Sequence, residues 1–294
     1  RKRWIRLSRF WGTHRCKMAF SFIQITDHHL GHSAEDRPHN YPTTQTFRAV
    51  LDEISGSGEP FDFLLSTGDL VNTPDEISYR YFLQLIGAEP AQSIPGPHCM
   101  HYGNLQDFPI YLMPGNHDDR DHFFRSLYIG GGSTRMNAVF THKGVRFVMI
   151  DWGPGVQAEL SEEMLAFLKQ ALDTDQPAVV MMHHNVVKLH TPLMDDFMAA
   201  NVQPFYDVLR GRNVLAVLCG HLHTAYKKQL EGITVLGLRS AAFQFRVEKR
   251  LVPSLLPMHY RIVTIDDQFK LTSRVVEVPV PPGLSFEKPS RPAP

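Results

Sequence analysis

Five apolar runs in this chain each stop at a residue able to bind a metal ion. They end in Ile25-Thr26-Asp27-His28-His29, Thr67-Gly68-Asp69, Pro114-Gly115-Asn116-His117-Asp118, Met182-His183-His184 and Cys219-Gly220-His221-Leu222-His223, with Asp151-Trp152 as a weaker sixth. Random sequence almost never places carboxylates, imidazoles and one carboxamide in such an order at the ends of strands. Oxygen and nitrogen donors of this mixture suit Mn, Fe or Zn, which accept imidazole and carboxylate together.

The runs themselves are short and alternate with amphipathic segments, the pattern of an α/β protein. Strands are expected near 20–26, 61–67, 110–113, 138–142, 145–151, 178–182 and 214–219, followed by antiparallel strands through Val276. Helices are expected near 43–54, 75–86, 161–172 and 203–209. In the first of these, Phe47, Val50, Leu51 and Ile54 recur at helical spacing. Gly87–Phe108, rich in Pro, Gly and His, reads as an inserted loop that shapes an interface or a pocket edge. The two strand-rich halves suggest two facing sheets.

Charge and composition narrow the function. The chain of 294 residues balances 30 basic against 30 acidic side chains, so bulk charge gives no reason to expect nucleic-acid binding. Residues 1–17 nevertheless hold seven Lys or Arg and no acid, leaving the remainder at a formal −7. Two bound divalent cations would offset part of that excess. The basic leader 1–17 is expected to be a disordered extension, residues 18–278 one domain, and 279–294, with six prolines, a solvated tail. No apolar run approaches the roughly 20 residues of a transmembrane helix. Three cysteines without regular spacing fit a reducing compartment, so a cytoplasmic address is expected.

If strand geometry persists, Asp27 and His29 share one side of the backbone, as do His221 and His223, because the side-chain period is two. Gly68 and Gly220 would let the chain turn beside the ions. Asp69 can bridge two ions through its two oxygens. Asp151 is expected to end a strand and bind a loop. His28 and His184 stand between pocket wall and simple neighbour.

The succession D-x-H, G-D, G-N-H-D, H-H and G-H-x-H resembles that of the calcineurin-like metallophosphoesterases. Ile23-Gln24-Ile25-Thr26-Asp27 and Ser66-Thr67-Gly68-Asp69-Leu70 are similar to the wording of bacterial class III cyclic-nucleotide phosphodiesterases. That resemblance implies a four-layer α-β-β-α sandwich with two facing mixed sheets. It implies one ion held by Asp27, His29, Asp69 and His223 and a second by Asp69, Asn116, His183 and His221. An activated hydroxide would attack phosphorus in line, with His117 as acid for the leaving group and Asp118 orienting it. The expected substrate is a small phosphodiester, cyclic nucleotides first, with glycerophosphodiesters or phosphomonoesters as the alternative. An inactive metal-stabilised binding protein is the alternative of another class, and a homodimer is a further expectation. Departures fall near the expected rim: Asn185 stands where those relatives carry Pro, and Leu238-Arg239-Ser240 replaces Thr-Pro-Ser before Phe243-Gln244-Phe245.

Overall fold

A computed structural model describes residues 19–285; the leader 1–17, Met18 and residues 286–294 of the tail lie outside it. The first four strands, β1 (Phe20–Ile25), β2 (Leu64–Ser66), β3 (His98–Tyr102) and β4 (Leu105–Leu112), build one half. Six more, β5 (Ala138–His142), β6 (Val145–Met149), β7 (Ala178–Met181), β8 (Val214–Cys219), β9 (Tyr226–Leu230) and β10 (Ile233–Gly237), build the other. β11 (Gln244–Val247) and β12 (Leu251–Ser254) pair as a ribbon, and β13 (Met258–Ile265) and β14 (Leu271–Val278) return to the first sheet. The sheet orders are β14-β13-β1-β2-β4-β3 and β5-β6-β7-β8-β10-β9.

Side-chain alternation sorts these strands into layers. In the second sheet Phe147, Met149, Val179, Met181, Ala216 and Leu218 join the core between the sheets. Their neighbours Val148, Val180, Val217 and Cys219 pack outward with α4 (Glu162–Ala171) and α6 (Gln203–Leu209). Between the sheets Phe22 and Phe63 each meet Phe147 edge-on, with centroids 5.3 Å apart. The opposite face is covered by α1 (Thr43–Gly56), α2 (Glu76–Ile86) and α3 (Arg120–Leu127). α1 buries the four positions read from its periodicity. A short α5 (Pro192–Asp195) lies between β7 and α6 in sequence. The architecture is the expected α/β sandwich with two facing mixed sheets.

Within the first sheet β1, β2 and β4 run parallel, and within the second β6, β7, β8 and β10 do. All ligand-type motifs therefore leave the carboxyl ends of parallel strands, where ligands of open α/β sheets bind.

The reading of residues 87–108 as a loop holds for its first half but not for its second. Residues 98–108 belong to the edge hairpin of β3 and β4, turning at Gly103-Asn104, with His98 and Met100 buried on alternate positions. Gly87 ends α2 in the left-handed conformation. Polar His98 hid the strand because its imidazole is buried and hydrogen-bonded to the Leu127 carbonyl at 2.8 Å. The last strands are also not all antiparallel, since β10 runs parallel to β8. No helix among the described residues is long and apolar enough to cross a membrane.

Burial lowers His98 to about 4, although its bonds to backbone groups act the other way. Stability from the neutral ring is then fully present above the unfolded value of 6.5 and is lost as pH falls toward 4. His98→Gln keeps a donor for Leu127 but does not titrate. Urea midpoints should show wild type losing up to about 3 kcal/mol relative to His98→Gln between pH 7 and pH 4; parallel pH profiles would exclude this account.

Candidate metal centre

β1 and β2 are parallel neighbours, and their pairing continues past both strands. The amides of Asp27 and His28 donate to the carbonyls of Gly68 and Asp69 at 2.9 and 2.8 Å. His29 also donates to the Asp69 carbonyl, at 3.0 Å. Two loops that carry candidate ligands are thereby zipped together by backbone bonds, independently of any ion.

The conformation along these loops is not extended. Asp27, His29, Asp69, His221 and His223 all have positive φ, between 46° and 71°. The period-two argument for Asp27/His29 and His221/His223 therefore fails. β1 ends at Ile25 and β8 at Cys219, and both pairs lie on left-handed turns beyond them. Asp, Asn and His are the non-glycine residues that tolerate this region best, yet each such residue still costs about 1–3 kcal/mol unless its surroundings fix it.

The side chains converge. Asp27 Oδ1 lies 3.4 Å from His223 Nε2, 3.8 Å from His183 Nε2 and 4.0 Å from His29 Nε2. Asp69 Oδ2 lies 3.3 Å from His183 Nε2 and 3.6 Å from His29 Nε2. Asn116 Oδ1 sits 3.0 Å from His183 Nε2. Donors about 2.0–2.2 Å from one ion stand roughly 3–3.5 Å from each other, so these separations suit shared coordination. Three groups have donor atoms within 4.8 Å of one another: Asp27, His29 and His223; Asp27, Asp69 and His183; and His29, Asp69 and His117.

In His183, His221 and His223 the other ring nitrogen is oriented by main-chain carbonyls. His183 Nδ1 donates to Thr67 O at 2.8 Å and His223 Nδ1 to Phe243 O at 2.6 Å. His221 Nε2 faces the carbonyls of Val156 and Phe197 at 3.2 and 3.1 Å, leaving Nδ1 available to an ion, and its amide donates to the Asp27 carboxylate. Such partners fix the tautomer and raise the basicity of the free nitrogen.

Electrostatics points the same way. Burial alone would raise the Asp27 carboxyl, but His223 and His183 outweigh it and hold it below the usual carboxylate range. Burial likewise opposes ionisation of Asp69, and His183 reverses that. Burial disfavours the charged His183 ring, yet Asp69 and Asp27 push it up to about 9. The pocket thus favours two ionised carboxylates and draws positive charge to them.

The remaining expected residues take other places. Asp118 was expected to orient His117, but its carboxylate turns inward. It accepts from the amides of Gly115 and Leu70 at 2.8 and 3.1 Å and from Tyr79 Oη at 3.0 Å. Adjacent residues on a tight turn point in different directions, which their adjacency in sequence does not reveal. Asp118 therefore ties the Asn116 loop to the Asp69 loop. His117 is half-buried, its amide donates to Asp69 Oδ1 at 2.8 Å, and its ring meets His29 edge-on at 4.8 Å. Asp151 binds Arg120, whose guanidinium also reaches the carbonyls of Gly115 and Asp118. His28 packs on Phe47 and bonds Ser66 Oγ, while His184 bonds the Gly155 carbonyl. Asn185 closes its own turn through Val187 and accepts from Tyr226 Oη.

Several supports carried no sequence signal beyond a polar residue in a strand or a loop. Ser240 Oγ donates to the Asp27 carbonyl at 2.6 Å. Gln24 Nε2 crosses between the sheets to Cys219 O and Thr67 Oγ1, both at 3.1 Å. His39 places its ring 6.3 Å from His117 and 5.4 Å from Phe243.

The calcineurin-like phosphoesterase profile matches residues 20–225. The chain belongs to that family. It is therefore a phosphoric ester hydrolase by kinship. A 3′,5′-cyclic-nucleotide phosphodiesterase of Nostoc sp. is 28% identical over 78% of this chain and 81% of its own. The glycerophosphodiester phosphodiesterase GpdQ of Enterobacter lignolyticus is 25% identical over 66% of this chain and 68% of its own. The solved structure of GAP50, the anchor in the inner membrane complex of Plasmodium, matches 92% of this chain and 90% of its own with a TM-score of 0.55. At 12% identity that last likeness concerns the fold alone.

Three glycines permit the convergence. A Cβ on Gly68 would press on His183 Nδ1, one on Gly115 would overlap Asp69, and one on Gly220 would overlap Thr26 Oγ1 and approach Asp27 Oδ2 to 2.8 Å. Gly220 thus serves close approach rather than a left-handed turn. Gly220→Ala should leave a folded protein, by circular dichroism, whose Mn²⁺ affinity in equilibrium dialysis is about 10–100-fold weaker. Unchanged affinity would show that Asp27 does not sit where an ion binds.

Proposed function

We propose that the chain is a dinuclear metal-dependent phosphodiesterase, with cyclic nucleotides as the leading substrate class. The observation that carries this reading is the meeting of Asp27, His29, Asp69, Asn116, His183 and His223 around one buried point. A binding module has no need to gather two carboxylates and a carboxamide from loops of both sheets. Asp27, His29, Asp69 and His223 would hold one ion, and Asp69, Asn116, His183 and His221 the other. Such ions, when bound, lower the pKa of a water and stabilise charge on the phosphoryl oxygens.

The remaining work falls to the protein. Carbonyl-bound His183, His221 and His223 present one nitrogen each, so their rings need no reorientation when substrate arrives. His117, half-buried at the open side of His29, donates a proton to the departing oxygen. Asp118 and Arg120 keep the loop carrying Asn116 and His117 in place. The Nostoc likeness favours cyclic nucleotides, and the shorter GpdQ match keeps glycerophosphodiesters as the second reading. A panel of cyclic AMP, glycerophosphodiester, bis(p-nitrophenyl) phosphate and p-nitrophenyl phosphate, run with Mn-loaded protein, tests it. No diester hydrolysis would overturn the proposal.

Asp69→Asn should weaken Mn²⁺ binding and slow bis(p-nitrophenyl) phosphate hydrolysis at least about a hundredfold. Full activity with two ions per chain would remove Asp69 from its role. His117→Ala should retain Mn²⁺ and slow alkyl diesters by about 10²–10⁴-fold, with a smaller loss on nitrophenyl esters, whose leaving group needs no proton. Equal losses on both would assign His117 to phosphate binding instead.

A further inference from the structure

Beside the metal centre, a cleft of about 690 Å³ separates the turn at residues 39–41 from the β11–β12 ribbon and the chain after it. His39 belongs to both places. Its ring lines the cleft and also lies 6.5 Å from His29 and 6.3 Å from His117. The cleft therefore adjoins the centre through His39.

Its walls are of two kinds. Tyr41, stacked on Phe243 with centroids 5.1 Å apart, and Leu255 belong to an apolar cluster that backs the cleft. Its rim carries two exposed guanidinium groups, Arg246 and Arg250, and among the described residues no Asp or Glu lines it. Arg246 Nε donates to Ser254 Oγ at 2.8 Å, which steadies the side chain without neutralising it. Two cations over an apolar floor, with no lining carboxylate, complement an apolar body bearing negative charge.

We propose that this cleft binds the part of the substrate remote from the scissile bond, and that this part is an apolar or aromatic body carrying a second anionic group, such as another phosphate. The proposal rests on the phosphodiesterase reading above and selects among diesters. The scissile phosphate belongs at the metals, near His117. The body passes His39 and lies against Tyr41 and Leu255. Its second anion meets Arg246 and Arg250 at the rim. Planar guanidinium groups suit phosphate oxygens, which accept two parallel hydrogen bonds.

The test compares adenosine 3′,5′-bisphosphate with adenosine 5′-monophosphate by equilibrium binding to the Mn-loaded full chain. Wild type should bind the bisphosphate about 5–30-fold more tightly, the gain from two exposed charge-assisted contacts. Arg246→Ala/Arg250→Ala should bring the two affinities together, and Arg246→Lys/Arg250→Lys should restore part of the gap. Equal affinities in wild type, or a gap that survives the double alanine variant, would overturn the proposal. Hydrolysis of bis(p-nitrophenyl) phosphate by the same wild-type sample reports separately on the phosphodiesterase reading. If that hydrolysis is present without bisphosphate preference, only the cleft assignment falls.

Discussion

Everything at the centre depends on two sheets meeting with their carboxyl ends in register, and polar bonds across the gap hold that register. Apolar packing such as Phe22 and Phe63 against Phe147 brings the sheets together but is not directional. The direction comes from Gln24 reaching Cys219 O, His183 reaching Thr67 O, and the Ala241 amide donating to Thr26 O at 2.9 Å. A slip along the strands would leave these buried groups unpaired, at about 1–3 kcal/mol each. The first sheet contributes the carboxylates and the second most of the imidazoles, so the register of the sandwich is also the assembly of the site.

That division has an electrostatic side. Two carboxylates buried close together repel each other and lose hydration. Backbone pairing forces Asp27 and Asp69 into proximity regardless, because their loops are extensions of β1 and β2. Among the described residues the ion-pair partners of Asp27 and Asp69 are the imidazoles of His29, His183 and His223 rather than lysine or arginine. The result is a pocket whose geometry is prepared by the chain and whose buried negative charge favours a cation.

Much of this was legible beforehand, for a specific reason. Metal donors belong to few residue types, and their places at the ends of apolar runs can be read from sequence without knowing how the chain turns. The layering followed from periodicity, and the helix expected near 161–172 is α4, capped by Ser161, which accepts from the Met164 amide. What escaped were relations fixed by direction rather than by type. Asp118 points away from its neighbour His117, Ser240 reaches Asp27 across more than two hundred residues, and His39 lines a cleft while its ring lies 6.5 Å from His29. The edge hairpin escaped because His98 reads as polar in sequence but is spent on a backbone carbonyl.

The five left-handed residues at the centre carry a consequence for how its sequence can vary. Asp, Asn and His tolerate that backbone conformation, glycine adopts it freely, and β-branched residues resist it. The first three are also oxygen or nitrogen donors of the kind that bind borderline metals. Drift that respects the turns alone therefore samples mostly residues able to ligate. Backbone selection and ligand selection act on the same small alphabet, so at these positions the shape of the loop already enriches for its chemistry.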